Sequence, residues 1–116
     1  MLAEEVNTEI TDNDITAHPE LKLARWAGAS LSPDEAAAST MYTSCEACAM
    51  CSGAIVASDL GRVVYAMSAP QLHELKGLEQ RGMRGIAVLA EAGRHIEVCG
   101  PFLYEEAAAP HLGYWA

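Results

Sequence analysis

The chain has 116 residues, 51% of them hydrophobic, and a net charge of −9 at pH 7. That length fits one domain, 1–116, burying roughly two thirds of its unfolded surface, and the composition is globular rather than disordered. Seven scattered Lys and Arg argue against a sequence-independent grip on nucleic acid, which needs clustered cations. No apolar run is long enough to span a bilayer.

The acidic start, MLAEEVNTEITDND, lacks the apolar stretch of a signal peptide. Residues 1–6 read as the end of a strand, and 7–17 as a polar loop. From His18 to about Gly28 the apolar residues Leu21, Leu23, Ala24 and Trp26 suggest a helix. Pro19 is tolerated only in a first turn, which puts His18 at the helix start. Residues 29–38 read as a loop or short turn, and Thr40–Thr43 as a short strand. A helix is expected from Cys48 to about Ser58, with Gly61 as its stop signal. Residues 62–67 form a buried-type strand. Pro70 opens a helix that Gly77 ends. Residues 78–85 are irregular, and 86–92 fit helix and strand equally. His95–Cys99 reads as a strand stopped by Gly100-Pro101, and 105–114 as a terminal helix interrupted at Pro110. Strands alternating with helices argue for an α/β layered fold with partly parallel pairing.

Three of the four cysteines, Cys45, Cys48 and Cys51, lie within seven residues, a spacing for metal rather than for a disulfide framework. This cysteine usage implies a reducing cytoplasm. Cys48 and Cys51, three apart on a helix, share a face. With His18, separated from Cys48 by 29 intervening residues, they supply one imidazole and two thiolates. That set holds a tetrahedral zinc and leaves the fourth position open. Glu20, two residues after the histidine, is a carboxylate placed for general acid/base work there. Backbone N–H groups of Ala47 and Cys48, near the expected helix start, suit a developing oxyanion. Simpler readings stand beside these. Cys45 would close a structural Cys3His site. The histidine would be a surface residue beside buried cysteines. Glu20 would be a first-turn glutamate facing the helix dipole. Trp26, Tyr42 and Tyr65 read as core, and Cys99 as an inert buried thiol. His73, His95 and His111 carry no functional signal.

The stretches HPE (18–20), MYTSCEACAMCSGAI (41–55) and GRVVYAMS (61–68) resemble the cytidine deaminase-like superfamily, in its nucleobase and nucleoside deaminase branch. That branch includes guanine deaminase, cytosine deaminase and the tRNA adenosine deaminases. NTEITDNDITAHPE (7–20) is similar to the loop leading into the family's first zinc helix. GPFLYEEAAAPHLGYW (100–115) is similar to its C-terminal helix. The motif is histidine-x-glutamate followed by proline-cysteine-x-x-cysteine, and the chain departs from it at Ala47, where the family has proline. The resemblance implies a three-layer α/β/α sheet and a zinc cofactor. It implies His18, Cys48 and Cys51 as ligands, Cys45 as a non-ligand neighbour, Glu20 as the catalytic residue and Asn7 as a substrate contact. Asn7 reads equally well as a turn asparagine. Phe102, Tyr104, Tyr114 and Trp115 stand where family members close the pocket, or else pack a terminal helix.

Set against the family, the chain starts about where a second strand would, so the first helix and first strand are expected to be missing. That exposes a sheet edge and favours a homodimer or larger assembly. The expected activity is hydrolytic deamination of a free nucleobase or nucleoside, with a small-molecule purine or pyrimidine substrate and no stable nucleic-acid or membrane partner. Two alternatives remain: a catalytically degenerate, zinc-stabilised interaction domain, and a deaminase of tRNA or single-stranded nucleic acid.

Overall fold

A computed structural model describes residues 1–114. Three strands form a parallel sheet in the order β1 (Thr40–Cys45), β2 (Arg62–Met67), β3 (Glu97–Cys99). Met41 pairs with Val63, and Val63 with Val98. Parallel neighbours need crossover connections. The helix α4 (Ala49–Ala57) makes the first, and α5 (Ala69–Lys76) with α6 (Gly85–Ala90) makes the second. Before the sheet come α1 (Glu9–Asp12), α2 (Pro19–Ser30) and α3 (Pro33–Ala37). After it come α7 (Tyr104–Ala108) and a 3-10 turn, Ala109–His111. The mixed α/β architecture and parallel pairing agree with the expected fold class.

The core lies between one sheet face and the layer of α2, α4 and α6. Met41 and Val63 meet Ala24, Ala27, Cys51, Ile55 and Leu89 there. Period-two alternation puts Val63, Tyr65 and Met67 of β2 in buried positions. The same alternation turns Tyr42 outward, so it is 71% exposed, and Trp26 is 37% exposed. Of the three aromatics expected in the core, only Tyr65 is buried. On the Tyr42 face, Val64 and Ala66 lie beside Phe102 and Leu103, which lead into α7.

Several local expectations change. Residues 1–6 form no strand. Their backbone is held instead by Lys22, whose Nζ donates to the Val6 carbonyl at 2.9 Å. The outer edge of β1 therefore has no ladder partner among the described residues. Residues 7–17 contain the one-turn helix α1. Residues 33–37 are helical because Ser32 and Glu35 form a reciprocal capping box. The chain leaves α4 through Asp59, which takes a positive φ of 68°. Gly61 is needed for a different reason: a Cβ there would lie 2.0 Å from the Ala37 carbonyl oxygen. Residues 85–90 resolve as helix, with Leu89 buried. Cys99 is half-exposed rather than buried. Trp115 falls outside the described residues.

One polar and one steric contact hold the two ends of α4. The Arg94 guanidinium donates to the carbonyls of Ile55 and Val56 in the last turn of the helix and of Leu60 just beyond it. At the other end, Gly85 presses on the loop before α4. A Cβ there would lie 1.8 Å from the Ala47 carbonyl oxygen and 2.5 Å from Ser52 Oγ. Gly85→Ala is therefore expected to destabilise the protein by about 1–3 kcal/mol through overpacking, read as a lower urea midpoint.

Candidate metal centre

The site sits where the N-termini of α2 and α4 meet, beside the carboxyl end of β1. His18 is the extended residue before α2, and Pro19 sets the first helical turn. Cys48 holds the same place before α4. Cys51 lies one turn on and is fully buried, whereas Cys48 is exposed. The ligand atoms of His18, Cys48 and Cys51 all lie within 4.8 Å of one another, which positions the three to bind a metal ion.

The spacing fits zinc closely. His18 Nδ1 is 3.6 Å from Cys48 Sγ and 3.4 Å from Cys51 Sγ. Bonds of zinc's usual lengths at a tetrahedral angle put nitrogen and sulfur about 3.5 Å apart. Soft thiolates with one imidazole favour zinc over harder ions. Cys45 lies outside the cluster, which removes the closed four-ligand alternative. Burial pushes the Cys45 thiol up, keeping it protonated.

The two cysteines are electrostatically unequal. The Cys51 side chain is the largest influence on Cys48, whose thiol is held down at about 5; the Met50 and Cys51 amides and the His18 ring act in the same direction. Cys51 is pushed up, first by its hydrogen bond to Cys48 and then by burial. Without metal the pair thus shares one proton, which metal binding releases.

Glu20 is partly buried beside this centre. Burial raises its carboxyl above the ordinary range, opposed by the His18 ring and by a hydrogen bond from Thr43. Thr43 shares its hydroxyl proton between the Cys45 carbonyl at 2.7 Å and Glu20 Oε1 at 3.3 Å. The sequence reading missed Thr43. Its signal was strand alternation, which places residues 41, 43 and 45 of β1 on one face.

Ala47 and Cys48 directly precede α4 rather than forming its first turn. The loop carrying them is anchored by Glu46, also missed by sequence. Its side chain is 2% exposed. It accepts from the Ala69 amide at 3.2 Å and from both Nε and Nη2 of Arg84. Asn7 is exposed, and its amide is engaged locally. Its Nδ2 donates to Glu9 Oε1 at 2.8 Å, and its Oδ1 accepts from the Glu9 amide at 2.9 Å. The turn role expected for an asparagine is thus realised. Glu9, a third residue that sequence did not single out, contacts His18 Nε2 at 2.9 Å.

Two outcomes check the ligand geometry. Cys48→Ser is expected to lose stoichiometric zinc, whereas Cys45→Ser keeps one zinc per chain, both measured by metal analysis after desalting. Removing Arg84 leaves the buried Glu46 without its counter-charge; Arg84→Ala is expected to cost about 3 kcal/mol in urea unfolding.

Residues 1–67 match the cytidine and deoxycytidylate deaminase zinc-binding region. A Schizosaccharomyces pombe protein named probable cytosine deaminase is 34% identical over 112 residues, covering 91% of this chain and 67% of that protein. A tRNA-specific adenosine deaminase of Buchnera aphidicola is 36% identical over 66 residues, 57% of this chain and 44% of its own. The fold is that of Nitrosomonas europaea guanine deaminase, with a TM-score of 0.74 at 24% identity over 95% of this chain. The chain spans 63% of that structure. With its ligand triangle and these relatives, the chain belongs to the cytidine and deoxycytidylate deaminase family and carries that family's zinc-binding region.

Proposed function

We propose that the chain is a zinc-dependent hydrolytic deaminase of a free nucleobase or nucleoside, of guanine or cytosine type. The reaction replaces an exocyclic amine by a carbonyl, consuming water and releasing ammonia. The observation that carries this reading is Glu20. It is a partly buried carboxylate with a raised pKa, set beside a three-ligand centre that is open to solvent at Cys48.

His18, Cys48 and Cys51 would hold the zinc, which when bound supplies a Lewis acid that acidifies a coordinated water. Glu20 takes the proton from the attacking water and passes it to the ring nitrogen. It then takes the remaining proton from the newly added hydroxyl, which becomes the carbonyl, and gives it to the departing amine, so one carboxyl serves as base and acid in turn. Thr43 keeps it aimed. The amides of Ala47 and Cys48 are the proposed donors to the developing oxyanion. Asn7 is the proposed contact to the base. The acidic chain favours a small neutral substrate over RNA.

The reading includes a cytoplasmic setting, supported by four free cysteines. It also includes a homodimer, supported by the outer edge of β1, which has no ladder partner among the described residues. Sedimentation of the zinc-loaded protein is then expected to return twice the chain mass.

The test is ammonia release from guanine, cytosine, adenine, isocytosine and their nucleosides. One substrate is expected to react, and Glu20→Gln to slow it about 10²–10⁴-fold. The same substitution keeps or raises the melting temperature, since it removes a carboxylate whose charge burial disfavours. The second reading is a degenerate zinc-stabilised interaction domain. It predicts no turnover by any variant, with His18→Ala unfolding the protein.

A further inference from the structure

The geometry points to Glu9 as a positioning residue for the metal centre: its carboxylate fixes the orientation and tautomer of His18. The inference rests on reading His18, Cys48 and Cys51 as the metal ligands. His18 Nδ1 faces both thiols. Its other nitrogen, Nε2, lies 2.9 Å from Glu9 Oε1. An imidazole whose Nε2–H donates to a carboxylate carries its lone pair on Nδ1, the atom turned to the metal position. A carboxylate behind a ligating histidine also makes the ring a stronger donor.

The placement of Glu9 is built rather than incidental. The Thr8 amide donates to the carbonyl of Ala17, the residue before His18, at 3.0 Å. Lys22 of α2 donates to Thr8 Oγ1 at 2.7 Å and to the Val6 carbonyl at 2.9 Å. The segment 6–9 is thus stitched onto the start of α2 from both sides. Asn7 closes the arrangement by donating to the same Glu9 oxygen that faces His18. The Glu9 carboxylate therefore joins the metal ligand to the proposed substrate contact through one atom. Glu9 is 38% exposed and His18 23%, so the tie is partly shielded from competing water.

The experiment is zinc affinity by competition with a chromophoric chelator, on the full chain, for the unaltered protein, Glu9→Ala, Glu9→Gln and Cys48→Ser. Glu9→Ala is expected to weaken zinc binding about 10–100-fold. Glu9→Gln, whose carbonyl still accepts the Nε2–H, recovers most of that loss. The His18 Nε2–H proton, slowed in solvent exchange and visible by NMR in the zinc-loaded protein, is lost in Glu9→Ala and retained in Glu9→Gln. A purely structural glutamate would not give that pattern. If Glu9→Ala binds zinc as tightly as the unaltered protein while Cys48→Ser does not, the role of Glu9 falls and the ligand set stands. If Cys48→Ser also binds unchanged, both fall.

Discussion

Everything at this centre depends on two helices beginning at the same point in space. The imidazole stands just before α2, and the thiols at the start of α4. The two helices pack together, with Ala24 and Ala27 of one and Cys51 and Ile55 of the other in the same buried seam of small and aliphatic side chains. That seam sets the ligand triangle. A larger residue at Ala24 or Ala27 would spread the helix starts, and the distances from His18 Nδ1 to the two sulfurs would open with them.

Around that seam the protein spends buried polar groups on the loop before α4 and on the far end of that helix. Arg94 holds the C-terminal carbonyls, while Glu46 and Arg84 hold the loop that delivers the first cysteine. These groups touch no ligand atom. Their effect is to deny the cysteine turn alternative positions, so the centre has its shape before any ion arrives.

Much of this was legible in the sequence. Pro19 fixed the start of α2, and the three-residue cysteine spacing fixed the shared face of α4. The strand at 62–67 and the helix ended by Gly77 also follow from local signals. The rest depended on partners distant in sequence. Residues 1–6 are apolar enough to suggest a strand, but a strand needs a neighbour, and Lys22 holds their backbone instead. Tyr42 reads as core by type and is exposed because the alternation of β1 turns it to the open face. The 29–38 stretch was read through its polarity, although Ser32-Pro33-Asp34-Glu35 carries a complete capping signal. Glu9, Thr43, Glu46 and Arg84 were invisible because a carboxylate, hydroxyl or guanidinium gains its role only from what it faces.

The ligand triangle also bears on how the chain holds together. An ion held by residues 18, 48 and 51 ties two segments some thirty residues apart, as a covalent staple would. Cross-linking a loop of that length removes conformational freedom worth about 3.5 kcal/mol from the unfolded chain, on the loop-entropy scale used for disulfides. The tie can be undone, however, by chelation or by loss of a thiolate. A small acidic domain then has a margin of stability that follows the supply of metal around it. Its lifetime in a zinc-poor environment becomes a property of the cell as much as of the sequence.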